Sequence, residues 1–282
     1  MSVLNQILGQ VAPLAVDLFR LCIWLVLLGA ILIPLERLWP ARRDKLLRKD
    51  VGVDLTYYFL NNYLPKLLLI PPIALLGWCL HFLVPAQLYA ATGHLPLGVR
   101  LAAAFVLGDL GYYWFHRLSH EIPFLWRFHA VHHSAEHVDW LISARAHPLD
   151  VAFAHFGGLV PLYALGFTQP MTQQTDIAPL LFVIVGTTWG YFIHANLRWR
   201  MGWFEYVLST PGFHHWHHTK LAPINRNYAS MIPALDMMFG TFFLPKTLPE
   251  AYGIEAPMPP ALLDQLVEPF TPLPATSSLP GE

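Results

Sequence analysis

Apolar residues gather along the chain into five long blocks, roughly 14–35, 60–84, 98–115, 151–168 and 177–194. Each is near or somewhat below the ~20 residues a helix needs to cross a bilayer, so the pattern predicts a set of membrane helices. The second block is interrupted by Asn61, Asn62 and Pro65, which predicts an interfacial or re-entrant start there. The polar stretches between blocks are unequal. Residues 36–50 carry Arg37, Arg42, Arg43, Lys45, Arg48 and Lys49, whereas 85–97 and 169–176 contain no Lys or Arg. Basic loops stay in the cytoplasm, so alternation puts 116–150 and 195–250 on that face as well. The expectation is an all-α, polytopic membrane helical bundle of about four to five spans with a cytoplasmic, histidine-rich helical cap.

Composition strengthens this reading. Hydrophobic residues make up 55% of the 282, the mean hydropathy is +0.43 and only 12% are charged, against about 25% in soluble domains. A net charge of −1 gives no sign of a nucleic-acid partner. Cys22 and Cys79 sit inside apolar runs, which excludes a disulfide framework or thiolate site as the source of the chemistry. The N-terminal stretch lacks a basic n-region and a small-residue cleavage site, so it is read as retained. Residues 250–282 are rich in proline and read as an extended or partly disordered tail. Three regions follow: 1–97 with the first spans and the basic loop, 98–249 with the histidines, and the tail 250–282.

The fifteen histidines are clustered. His116 and His120 in "HRLSH" are i and i+4, and His129, His132 and His133 in "HAVHH" are i, i+3 and i+4, each set on one face of a helix. The same spacing returns as His214, His217 and His218 in "HHWHH". Thr210 and Pro211 supply an N-cap and first helical position for that last set. His215 points about 100° away from His214 and is expected to be no ligand. Single histidines at 81, 94 and 155 read as hydrogen-bonding or interface residues. Three helical ligand patterns on one membrane face point instead to metal, because clustered neutral imidazoles need something to satisfy their lone pairs. One catalytic zinc takes about three protein ligands; the eight histidines of the patterns, with His147 and His194 as further candidates, imply two metals.

The order H-x-x-x-H, H-x-x-H-H, then a distant H-x-x-H-H, with "DLGYYWFHRLSH", "RFHAVHHS", "RAHPLD" and "TPGFHHWHH", resembles the fatty acid hydroxylase and sterol desaturase superfamily over about residues 98–245. The resemblance implies a cytoplasmic non-haem di-iron centre that uses dioxygen to oxidise a C–H bond of a lipid such as a sterol or fatty acyl chain. It carries ligand roles onto His116, His120, His129, His132, His133, His214, His217 and His218. His194 matches a histidine usually seen ahead of the last box, and His147 one seen in many branches. His137 is read as a hydrogen-bonded or surface group. Asp109, two helical turns before His116, is expected to accept a hydrogen bond from a ligand and fix its tautomer. Arg117 and Arg145 are expected to face lipid headgroups or cap carbonyls.

The chain carries no dinucleotide fingerprint, haem-attachment motif or iron–sulfur cysteine set. Electrons are therefore expected from a separate ferredoxin- or cytochrome-type protein. Hydroxylation and desaturation stay open, with hydroxylation preferred. A membrane dizinc hydrolase acting on a lipid is the alternative; it wants a carboxylate base, and Glu121, Glu136, Asp139 and Asp150 are not at H-E-x-x-H spacing. A divalent-metal transporter would place ionisable groups mid-span, unlike these. The absence of a Lys-rich C-terminal retention signal favours a bacterial inner membrane.

Overall fold

The structure, a computed structural model, describes residues 3–43, 48–167 and 177–271. Lys45, the loop 169–176 and the tail beyond 271 lie outside the described residues. Among those described, the chain is helical apart from isolated bridges between Pro40 and Leu197 and between Thr219 and Tyr252.

Two helices dominate: α1 (Val3–Leu38), of 36 residues, and α2 (Val51–Leu83), of 33. Both are long and apolar enough to cross a membrane. The short α3 (Ala86–Gly93) meets α4 (Leu97–Glu121) at a bend of 118°, and together they make a third candidate. The other apolar blocks fall short. α6 (Pro148–Ala164) has 17 residues and α7 (Ile177–His194) has 18, or about 26 Å at 1.5 Å per residue against a ~30 Å hydrocarbon core. Among the described residues, length and composition alone give two helices able to cross, or three with the bent pair. α2 is also one unbroken helix. Asn61 does not interrupt it; its Nδ2 donates to the carbonyls of Ala144 and Ala146 (3.0 and 2.9 Å), tying α2 to the histidine-bearing part.

That part is built from α5 (Pro123–His133), a 3-10 turn over Trp140–Ala144, and α6 and α7. It continues through α8 (Pro211–His217), α9 (Ala234–Phe239) and α10 (Leu262–Val267). α4 and α6 approach closely because glycines face each other: a Cβ on Gly111 would overlap the Gly157 carbonyl, and one on Gly157 would strike Phe115. Leu28 and Leu32 of α1, Tyr58 of α2, Trp140, Leu141 and Tyr191 of α7 share one buried cluster. The histidine-rich part is therefore packed on the long helices. The proline-rich stretch is not simply a tail. Lys220 N–H donates to Ala251 O (2.9 Å), Tyr252 is buried, α10 meets His147 through Leu266 O, and a 3-10 turn at Glu268–Phe270 packs against α5.

Candidate metal centre

Each histidine pattern is on a helix, as its spacing predicts. α4 presents His116 and His120, α5 presents His129, His132 and His133, and α8 presents His214 and His217 with His218 as its C-cap. α8 begins as its sequence requires, with Thr210 capping the Phe213 N–H and Pro211 at the first position. His194 ends α7.

The side chains converge into two groups whose ligand atoms lie within 4.8 Å of one another. One holds His116, His120, His129, His133 and His217; the other holds His132, His194, His214 and His218. His133 and His218 stack across the boundary, centroids 4.6 Å apart, so the two groups share a wall. All nine imidazoles are buried.

Hydrogen bonds fix which nitrogen faces inward. A carbonyl oxygen can only accept, so Nδ1–H donates from His116 to Tyr228 O (2.7 Å) and from His132 to Arg145 O (2.8 Å). The same holds from His194 to Gly190 O (2.6 Å) and from His217 to Arg226 O (2.8 Å). His129 Nδ1 donates to Asp150 Oδ2 (2.9 Å), and His120 Nδ1 to Asn225 Oδ1 (3.2 Å). With Nδ1 protonated, each neutral ring keeps a bare lone pair on Nε2. Yet His116 Nε2 lies 3.2 Å from His129 Nε2, and His132 Nε2 lies 3.2 Å from His194 Nε2. Two lone pairs cannot hydrogen-bond each other. A shared proton is no remedy, because burial and the neighbouring His129 push His132 down to about 4. Burial first, then the adjacent imidazoles, also holds His133, His214, His217 and His218 well below the ordinary histidine range. His120 Nε2 and His217 Nε2 are buried with no partner. Neutral nitrogens aimed at one another, with six of the nine rings oriented from behind, suit an imidazole-bound transition metal. The residues fit two such ions.

Other candidates sit elsewhere. His147 stands outside both groups: it caps α6, its Nδ1 accepts from the Leu149 N–H, and Nε2 faces Leu266 O at 3.2 Å. His215 turns away as its helical angle requires, with Nε2 facing Ala195 O and Nδ1 facing the Tyr252 hydroxyl. His137 is in neither group. Asp109 is fully buried and touches no histidine. Its carboxylate accepts the N–H groups of Ser230, Met231 and Ile232, which positions the segment whose Tyr228 carbonyl receives His116. It acts one step further back than expected. Arg145 does not reach headgroups either; it is 3% exposed and bound to Asp54 at 2.5 Å. Arg117 pairs with Glu121 and Tyr113 and reaches the Phe239 carbonyl.

The profile of the fatty acid hydroxylase family matches residues 101–241, half of the chain and all nine clustered histidines. The chain belongs to the fatty acid hydroxylase family. Among its curated relatives is the ornithine lipid hydroxylase OlsE of Rhizobium tropici, 35% identical over 62% of this chain and 52% of its own length. The alkylglycerol monooxygenase of Danio rerio is 34% identical over 55% of this chain and 33% of its own. The methylsterol monooxygenase 2-2 of Arabidopsis thaliana is 29% identical over 49% and 50%. The chain thus spans between a third and about half of the length of these relatives. No solved structure matches it.

Proposed function

We propose that this membrane fatty acid hydroxylase is a di-iron oxygenase that hydroxylates a C–H bond of a membrane lipid with dioxygen. The observation that carries the reading is the pair of all-imidazole groups, five and four histidines, with their Nε2 atoms facing inward. Held there, two irons would supply dioxygen reduction and oxidation of the unactivated carbon. The chain's own contribution is orientation and burial: five carbonyls and carboxylates behind the rings fix the tautomers. His116, His120, His129, His133 and His217 are the proposed ligands of one iron and His132, His194, His214 and His218 of the other; His147 supports α6 instead.

Hydroxylation is favoured over desaturation because the three relatives are named as a hydroxylase and two monooxygenases. Their names point to polar-headed lipids and sterols, so the substrate class proposed is a membrane lipid. Electrons come from a separate donor protein. The basic segment supports a cytoplasmic site, since Arg42 N–H donates to Asn196 Oδ1 (2.9 Å) and Arg48 to Asp139 (2.7 Å), both in the histidine-bearing part. A bacterial inner membrane is the proposed location. The hydrolase alternative loses support at its base: Glu121, Asp139 and Asp150 are engaged by Arg117, Arg48 and His129 respectively, and Glu136 is exposed.

The test is elemental analysis of protein purified in mild detergent, followed by reduction and exposure to dioxygen with membrane lipid extract. The expected result is two irons per chain, one per histidine group, oxygen consumption and a product heavier by one oxygen atom. Two zincs, with no oxygen consumption after iron reconstitution, would overturn the reading.

A further inference from the structure

A cleft of about 1160 Å³ lies away from the histidines, between α1, α2 and the 3-10 turn at Trp140–Ala144. None of the nine clustered histidines lines it. Its two ends differ in chemistry. The inner part is apolar and lies along α1 from Leu25 to Pro34, with Val51 and Leu55 opposite. The nine helical steps from Leu25 to Pro34 rise about 14 Å, close to half of a ~30 Å hydrocarbon core. Its apolar stretch is thus about as long as one leaflet is thick.

The mouth is basic. Arg37, Arg42, Arg43 and Arg198 line it, with Glu36 and Asp139 as the acids. Both acids are spent inside the protein: Glu36 Oε1 accepts the N–H groups of Trp140 and Asn196 (2.9 and 2.8 Å), and Asp139 is held by Arg48 and caps the 3-10 turn. Arg42 lies over the Tyr252 ring and donates to Pro249 O. Arg43 and Arg198 are exposed, and their guanidiniums have no hydrogen-bonding or ionic partner among the described residues. Two unneutralised guanidiniums at the wet end of a leaflet-long apolar trough are complementary to one kind of molecule.

We propose that this cleft binds one phospholipid with an anionic headgroup, an acyl chain lying along Leu25–Pro34 and the phosphate at Arg43 and Arg198. The site is separate from the metal centre, so it holds a lipid that is bound and not oxidised. Trp140 lines it and packs on Tyr191 of α7, and Asn196, two residues after His194, lines it too, so occupancy bears on the same elements that carry His194.

The experiment uses the full chain in mild detergent. Native mass spectrometry and thermal unfolding are followed on titration with phosphatidylglycerol, with phosphatidylcholine of identical chains, and with inorganic phosphate. Wild type is expected to take up phosphatidylglycerol saturably, and phosphatidylcholine on the order of tenfold more weakly. The Arg43→Gln/Arg198→Gln double variant should lose a similar factor for phosphatidylglycerol, and Ala30→Trp, which fills the apolar trough, should lose binding of both lipids. Metal content per chain checks that each variant is folded. Equal binding of the two lipids overturns the proposal, as does wild-type binding by both variants or an equal shift with inorganic phosphate alone.

Discussion

At the scale of the residue, the site depends less on having histidines than on what stands behind each ring. Asp150 is the one carboxylate in contact with a clustered imidazole among the described residues, and it bonds His129, whose Nε2 lies near those of both His116 and His133. A carboxylate behind a ligand fixes the ring and raises its basicity; removing such a partner typically costs 10–100-fold in metal affinity or activity. Asp150→Asn is therefore expected to lower metal affinity in the five-histidine group by roughly that factor, leaving the four-histidine group filled. Metal content under graded chelation reads this directly as loss of one ion of two. Simultaneous loss of both would mean that Asp150 holds the fold and not His129. The histidines themselves were legible, because i, i+3, i+4 spacing is a property of one helix. Their partners were not. Asp150 sits 21 residues from His129 and Tyr228 sits 112 from His116, and a backbone carbonyl leaves no mark in a sequence at all.

At the scale of the element, two helices must approach at one distance for the ligands to meet. α4 carries His116 and His120, and α6 carries Asp150, which orients His129 of α5. Gly111 and Gly157 set that approach. A methyl group at 111 would overlap the Gly157 carbonyl and press on Pro161, forcing the helices apart. Gly111→Ala is expected to destabilise the protein by about 1–3 kcal/mol, the range for overpacking, and to empty the five-histidine group before the other. Gly186→Ala is the control, since a Cβ there meets nothing within 4 Å; its expected effect is within about 0.5 kcal/mol. Thermal unfolding with metal analysis measures both, and equal behaviour of the two variants would remove the packing argument. Apolar runs alone leave the number of spans open for these same elements. α6 and α7 are apolar but short, and α7 leaves Leu180, Val183 and Ile184 exposed; runs of about 18 residues or fewer are as much core as membrane by composition. In α2 the pattern misled: Asn61 reads as a break, yet its amide bonds carbonyls 83 and 85 residues away.

At the scale of the whole molecule, the nine imidazoles come from four separate helices and join residues 116 through 218. In the pairs His116–His129 and His132–His194 both Nδ1 atoms already donate elsewhere, so their facing Nε2 atoms have no proton between them. Behind the rings, Arg145 links His132 through its carbonyl to Asp54 of α2 through its guanidinium, so the metal groups are coupled to a long membrane helix as well. A bound ion that the unfolded chain cannot hold stabilises the folded state by mass action. Chelation should therefore do more than stop activity. Each kcal/mol of lost stability moves the midpoint by about 2–4 °C for a chain portion of 150–250 residues, so losing two tightly held ions should lower the melting temperature of the histidine-bearing part by on the order of 10 °C. The loss should be regional. Proteolysis is expected to open between residues 219 and 233, where the chain runs between α8 and α9 and supplies Asn225, Arg226 and Tyr228 to the ligands. α1 and α2, whose hydrogen bonds are their own, should keep their helical signal in detergent. Restoring iron should return both the midpoint and the protection. A chelated protein that melts and resists protease like the metal-loaded one would mean that the histidine packing stands without metal, against the reading of its facing lone pairs.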